Sequence, residues 1–310
     1  MTLAILCSGQ GRQHPDMFAL TSDAPQAAEL FAHASKLLGG DVRAFVRSET
    51  SEIIHRNRSG QILCTVQALA AAAALGDVMS GQVIIAGYSV GEVAAWGVAG
   101  LFTPCDTLDL VTHRAEVMDA VTSPGDGLLF VRGLSRGEID VLCGRHGADI
   151  AIINPDAFVL GGSGVALEAI ADQAMALRAA RIVLLPVAVA SHTRRLINAS
   201  AAFRERLRRV PTTFPSRSRV RILSGIDGSP VLSLDTGLDK LAAQISQTLQ
   251  WASCLQGCIE AGATAFLELG PGHALSDMVA SAWKDMPSRA LDDFRSLEGV
   301  RAWIGHHRGG

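Results

Sequence analysis

The run Val83-Ile84-Ile85-Ala86-Gly87 is apolar at every position, with no polar residue alternating into it. A strand of this kind has to be covered on both faces, which is the condition of a strand inside a parallel sheet flanked by helices. Residues 2–7 read as a second buried strand, breaking at Ser8-Gly9-Gln10-Gly11. Helical patterns are expected from about 24 to 38 and from about 60 to 75, the second nearly free of charge. Thr103-Pro104 opens another helix, since proline suits a first helical turn. Alternating strands and helices predict an α/β fold built on a parallel sheet.

The pattern changes after Ser123-Pro124-Gly125-Asp126-Gly127. "GLLFVRGL", "ADIAIIN", "AFVLGGS" and "RIVLLPVAV" are expected to be short strands, interleaved with helices at about 135–146 and 164–178. Strand-helix-strand-strand-helix-strand is the order of a ferredoxin-like unit. Beyond it, "RVRILSGI" is expected as a strand, "LDKLAAQISQTLQWASCLQGCIEAG" as one long helical tract, and "TAFLELGPG" as a last strand. The division this implies is a discontinuous large α/β domain, residues 1–125 and 188–310, with a small domain at 126–187 inserted into it.

Composition removes several function classes. At 310 residues, 48% hydrophobic and 18% charged, the chain has the make-up of a globular protein with a large core. A net charge of −3 gives no electrostatic basis for binding nucleic acid, and the arginines of "FRERLRRVPTTFPSRSRVR" are expected to lie on a solvated helix face and loop. Cys7, Cys64, Cys105, Cys143, Cys254 and Cys258 form no C-x-x-C pair and have no nearby histidine, so reduced thiols and no metal site are expected. The start "MTLAILCSGQG" lacks the basic and long apolar regions of a signal peptide, and the longest apolar stretches are about half the ~20 residues needed to span a bilayer. A soluble, cytoplasmic protein is expected.

Gly87-Tyr88-Ser89-Val90-Gly91 has the strand–turn–helix form of G-x-S-x-G, in which a strained turn presents the serine hydroxyl at the carboxyl edge of a sheet. The competing role for Ser89 is that of a helix cap. A nucleophilic serine needs a base, and the chain has nine histidines. His192 stands out by following the buried-looking "LLPVAVA", although a structural histidine would read the same. Gln10 lies in the other edge loop and could contribute an amide to an oxyanion hole with that of Val90, or the loop could be a plain turn. Arg114, mid-helix, is either solvated or turned into the cleft, where its fork would suit a substrate carboxylate.

"SGQG" after the first strand, "GYSVGE" about eighty residues on, Arg114, "SH" after the small domain, then "LQW" and "LELGPG": this succession resembles the malonyl-CoA:acyl-carrier-protein transacylase family along essentially the whole chain. The finer texture of "GYSVGEVAAWGVAGL", "PVAVASHT", "LSGIDG" and "FLELGPG" looks closest to the epsilon subunits of malonate decarboxylases. The resemblance implies an α/β-hydrolase-like large domain with a nucleophile elbow and the inserted ferredoxin-like domain. It implies Ser89 as the acylated nucleophile, His192 as base, the backbone amides of Gln10 and Val90 as oxyanion hole, and Arg114 on the malonyl carboxylate. It further implies that the backbone carbonyl of Gln250 orients the histidine and that Asn154 lies near the pocket. No cofactor is implied. The partners are malonyl-CoA and an acyl carrier protein with a phosphopantetheine-type thiol arm, and, in the finer reading, other malonate decarboxylase subunits. Departures from the family pattern are Tyr88 for the usual histidine, Ser8 in "CSGQG" for the usual proline, and Ser191 where phenylalanine is common.

Two other classes compete. A serine esterase or thioesterase would place an acid between nucleophile and histidine in chain order, and Asp106, Asp109 and Asp126 are available. A non-catalytic scaffold subunit would need none of these roles to coincide.

Overall fold

A computed structural model describes residues 2–76, 81–213 and 220–307. Five parallel strands form one sheet: β1 (Thr2–Cys7), β2 (Val83–Gly87), β7 (Val220–Ile222), β8 (Ala263–Glu268) and β9 (Ser288–Ala290), in the order β7-β2-β1-β8-β9. β1 and β2 are buried along almost their whole length because helices cover both faces. The helix Asn57–Leu75 is buried nearly all round, as its lack of charge requires. The register pairs Cys7 with Gly87 and Leu6 with Glu268, so the chain leaves β1, β2 and β8 at one carboxyl edge, the place where open α/β sheets bind ligands.

Between β2 and β7 lie β3 (Asp126–Arg132), β4 (Asp149–Ile153), β5 (Ala157–Ser163) and β6 (Arg181–Leu184), with helices Arg136–His146 and Gly164–Ala176 following β3 and β5. They form an antiparallel sheet in the order β4-β5-β3-β6. Ser135 and Glu138 close a capping box at the first helix, and the Ser163 hydroxyl caps the second. One face buries Leu129, Val131 and Leu160 against those helices, while Leu128, Ile152 and Val159 face the main core.

Two expectations need correction. "RIVLLPVAV" is a strand only to Leu184, because Pro186 lacks the N–H that a continuing ladder needs. The tract from 238 to 262 is two helices, Leu234–Ala243 and Trp251–Glu260, since Leu249 instead exchanges backbone hydrogen bonds with Ala151 and Ile153 of β4. Arg204 and Arg208 pair with Asp239 on the surface; positions 214–219 of the arginine-rich stretch lie outside the described residues. Among the described residues no helix is long and apolar enough to cross a membrane, and no group of acidic, histidine or cysteine side chains is placed to hold a metal ion.

Candidate active site

β2 delivers the chain to Ser89, whose φ of 57° and ψ of −122° are unusual for a residue with a side chain. Such a conformation costs about 1–3 kcal/mol and persists only where its surroundings over-determine it. They do so here through two close approaches. A Cβ on Gly87 would overlap the backbone of Gly91 and Glu92, and a Cβ on Gly91 would overlap the Cys7 carbonyl. The Tyr88 N–H donates to that same carbonyl at 2.9 Å, fastening the elbow to β1.

Ser89 precedes the helix Val90–Val98 but makes no side-chain capping bond. Its hydroxyl instead stands 2.8 Å from Nε2 of His192. The other ring nitrogen, Nδ1, is 2.5 Å from the backbone carbonyl of Gln244. A carbonyl can only accept, so Nδ1 carries the proton and Nε2 is left to accept from the serine. His192 is 1% exposed, holds a φ of 63°, and donates its own N–H to the Ile245 carbonyl at 2.8 Å. Burial pushes the imidazole down to about 3; the positive charge of Arg114 adds to this and the Gln244 carbonyl opposes it.

The sign follows from the difference between the folded and unfolded chain. Unfolded, the imidazole takes a proton below about pH 6.5; folded, it stays neutral until far lower, so stability is lost as pH falls through that interval. The ring resonances of His192 in an NMR titration are expected to show no protonation between pH 8 and about pH 5. A midpoint near 6.5 would contradict a buried base.

Gln250 does not orient this histidine. Its N–H donates to the Gly225 carbonyl at 2.8 Å and its own carbonyl accepts from Cys254 at 3.0 Å, opening the helix Trp251–Glu260. Gln244 is at the end of the preceding helix, where carbonyls have no intrahelical partner, and so its oxygen is free for His192. Its side chain is used as well. Nε2 donates to the Ser89 carbonyl at 3.0 Å, and Oε1 accepts from Nη2 of Arg114 at 3.3 Å. The sequence signal was slight: one glutamine in a tract of helix formers.

Arg114 lies mid-helix in Pro104–Asp119 and is 1% exposed, which excludes the solvated reading. Nη1 donates to Gln61 Oε1 at 2.7 Å, so both side-chain partners are neutral amide oxygens, and Nε has none. Burial lowers the guanidinium to about 10, with the Glu92 carboxylate opposing. Burial also raises the Glu92 carboxyl to about 8, with the Arg114 charge opposing. A buried cation whose side-chain hydrogen-bond partners among the described residues are both amides is an unfinished ion pair.

Val90 heads its helix, so its N–H lacks an intrahelical acceptor, and the Gln10 N–H makes no backbone hydrogen bond among the described residues. The Gln10 side chain points away, donating to Asn57 Oδ1 at 3.4 Å, and Asn57 in turn accepts from Gln61 at 2.7 Å. Side chains thereby connect the first loop to the arginine. Asn154 is buried beside Tyr88, its amide atoms without a hydrogen bond among the described residues, and Tyr88 packs edge-on to Trp251 at 5.2 Å. No aspartate takes the esterase position: Asp109 pairs with His33 and Asp126 with Arg195, while Asp106 accepts from Thr103.

The acyl transferase domain family model matches residues 5–294. The chain is 31% identical over 303 residues to the malonyl CoA-acyl carrier protein transacylase of Mycobacterium tuberculosis, covering 96% of this chain and 98% of that protein. Among solved structures, an acyl-carrier-protein S-malonyltransferase from Burkholderia pseudomallei superposes with a TM-score of 0.89 at 26% identity, over 97% of this chain and 100% of the other. The structure described as MCAT from Mycobacterium tuberculosis gives 0.88 at 28% identity, over 98% and 99%.

Proposed function

Because this chain belongs to the acyl transferase domain family, beside malonyl-CoA:acyl-carrier-protein transacylases, we propose that it moves malonyl groups from coenzyme A to the thiol of an acyl carrier protein. The observation that carries the reading is that one residue, Gln244, touches the base, the nucleophile and a buried arginine whose side-chain hydrogen-bond partners among the described residues are neutral amides. Nucleophile, base and arginine thus meet at one side chain and its backbone carbonyl.

The Ser89 hydroxyl attacks the thioester carbon, giving its proton to Nε2 of His192 as the oxygen–carbon bond forms. The resulting oxyanion takes the N–H groups of Gln10 and Val90, each such donor being worth roughly 10²–10³ in rate. The carbon–sulfur bond then breaks, and His192 returns the proton to the coenzyme A thiolate. The carrier thiol repeats these steps in reverse, losing its proton to His192 and restoring the Ser89 hydroxyl. Arg114 holds the malonyl carboxylate throughout. The Gln244 carbonyl does what an aspartate does in a hydrolase, holding the tautomer without a second buried charge.

We further propose that the large unit, 1–125 and 188–310, is hydrolase-like around its elbow and that 126–187 is a ferredoxin-like insertion; the strand order β4-β5-β3-β6 supports the latter. Six free cysteines favour a cytoplasmic setting. Transfer to the acyl carrier protein of fatty acid synthesis has the support of the named relatives. The malonate decarboxylase epsilon reading rests on motif texture alone. Mixing the protein with malonyl-CoA should add one malonyl mass, located on the Ser89 peptide. Offering that adduct both carriers then identifies the pathway by which one discharges it; no adduct would end the reading.

A further inference from the structure

The oxyanion loop depends on a bond made outside the reaction path. The Ser8 hydroxyl, at the head of that loop, donates to Glu268 Oε1 at 2.5 Å, and both residues are buried. Glu268 is the last residue of β8, and its other oxygen accepts from the N–H groups of Leu275 and Ser276 at 2.9 and 2.8 Å, in the first turn of the helix Ala274–Ala282. One carboxylate therefore spans from that helix to the residue two positions before Gln10.

The remaining contacts leave the loop little freedom. A Cβ on Gly270 would overlap the Ser8 side chain, and a Cβ on Gly91 would stand 2.8 Å from the Ser8 carbonyl, so Ser8 is gripped between the β8 turn and the elbow. A Cβ on Gly9 would stand 2.9 Å from the Tyr88 carbonyl, and the Cys64 thiol donates to the Gly9 carbonyl at 3.4 Å. Among the described residues, Ser8 is the one point where the loop is tied by a hydrogen bond to a carboxylate. An oxyanion donor acts only while aimed where charge develops, and a misplacement of about 1 Å can cost roughly 10²-fold in rate.

We propose that Ser8 and Glu268 are positioning residues that hold the Gln10 amide at the oxyanion site through their mutual hydrogen bond. The inference rests on the acyl-transfer reading of Ser89 and concerns its acylation step. Ser8→Ala leaves a Glu268 oxygen buried without its donor and removes the loop's hydrogen bond to the end of β8, leaving van der Waals contacts alone to set the aim of the Gln10 amide.

The test is acylation of Ser89 followed by intact mass, with malonyl-CoA and separately with p-nitrophenyl acetate, which needs the same hole and no carboxylate receptor. Ser8→Ala is expected to reach one adduct per chain at a rate reduced about tenfold or more, with the malonyl-CoA concentration for half-maximal rate within twofold of wild type. Glu268→Gln, whose amide can donate to Ser8 while its carbonyl accepts from the helix, is the conservative variant and should stay within about threefold. A Ser8→Ala rate within twofold of wild type overturns the proposal. So does a change confined to half-saturation, or a chain that fails to fold, which would make the bond a requirement of the fold alone. Wild-type protein that takes acetyl but no malonyl would sink the malonyl reading and leave the acetate comparison to judge the loop.

Discussion

Ser89→Ala is expected to fold as wild type and to form no malonyl adduct, with transfer reduced by on the order of 10³-fold or more. Stability should survive because the hydroxyl caps nothing and its side-chain partner among the described residues is the His192 imidazole. Alanine must still adopt φ near 57°, but Gly87, Gly91 and the Tyr88–Cys7 hydrogen bond enforce that turn independently of the hydroxyl. Thermal unfolding beside intact mass after malonyl-CoA checks both halves. An adduct retained at full stoichiometry would remove Ser89 from the mechanism.

Arg114→Ala should separate recognition from chemistry. A desolvated guanidinium–carboxylate contact that loses one partner commonly costs about 2–5 kcal/mol. At about 1.4 kcal/mol per decade, malonyl transfer should fall about 30- to several-thousand-fold. Acetyl transfer has no carboxylate to lose, and removing a cation that donates to the neutral amides of Gln61 and Gln244 should leave it unchanged or raise it. The ratio of malonyl to acetyl rates, wild type against variant, is the measurement. A ratio constant within about threefold would mean that the buried charge serves something other than a dicarboxylate.

Much of this site could be seen in the sequence because it is built from local rules. The short apolar runs at 3–7 and 83–87, each ended by a glycine-containing turn, suit strands covered on both sides, and a parallel sheet brings their following loops to one edge. The two glycines around Ser89 mark a turn that admits no side chains, whatever the rest of the chain does. The antiparallel sheet of the small unit likewise accords with its strand-helix-strand-strand-helix-strand succession. These features need only the period of apolar residues and the sterics of a few backbone atoms.

Other assignments depended on distant parts meeting. Nothing around Arg114 distinguishes an outward from an inward side chain, since its helix is flanked by mixed residues and its partners lie 53 and 130 positions away. His192 could be singled out from nine histidines only by place; its role depends on Ser89, 103 residues earlier, and on a carbonyl 52 residues later. The choice of that carbonyl shows the limit most directly. Sequence resemblance pointed to Gln250, yet a carbonyl can accept from an imidazole only where its helix has ended. Residues 238–262 suit one continuous helix, and β4 decides where it breaks, by pairing with Leu249 and leaving the oxygen of Gln244 open to His192.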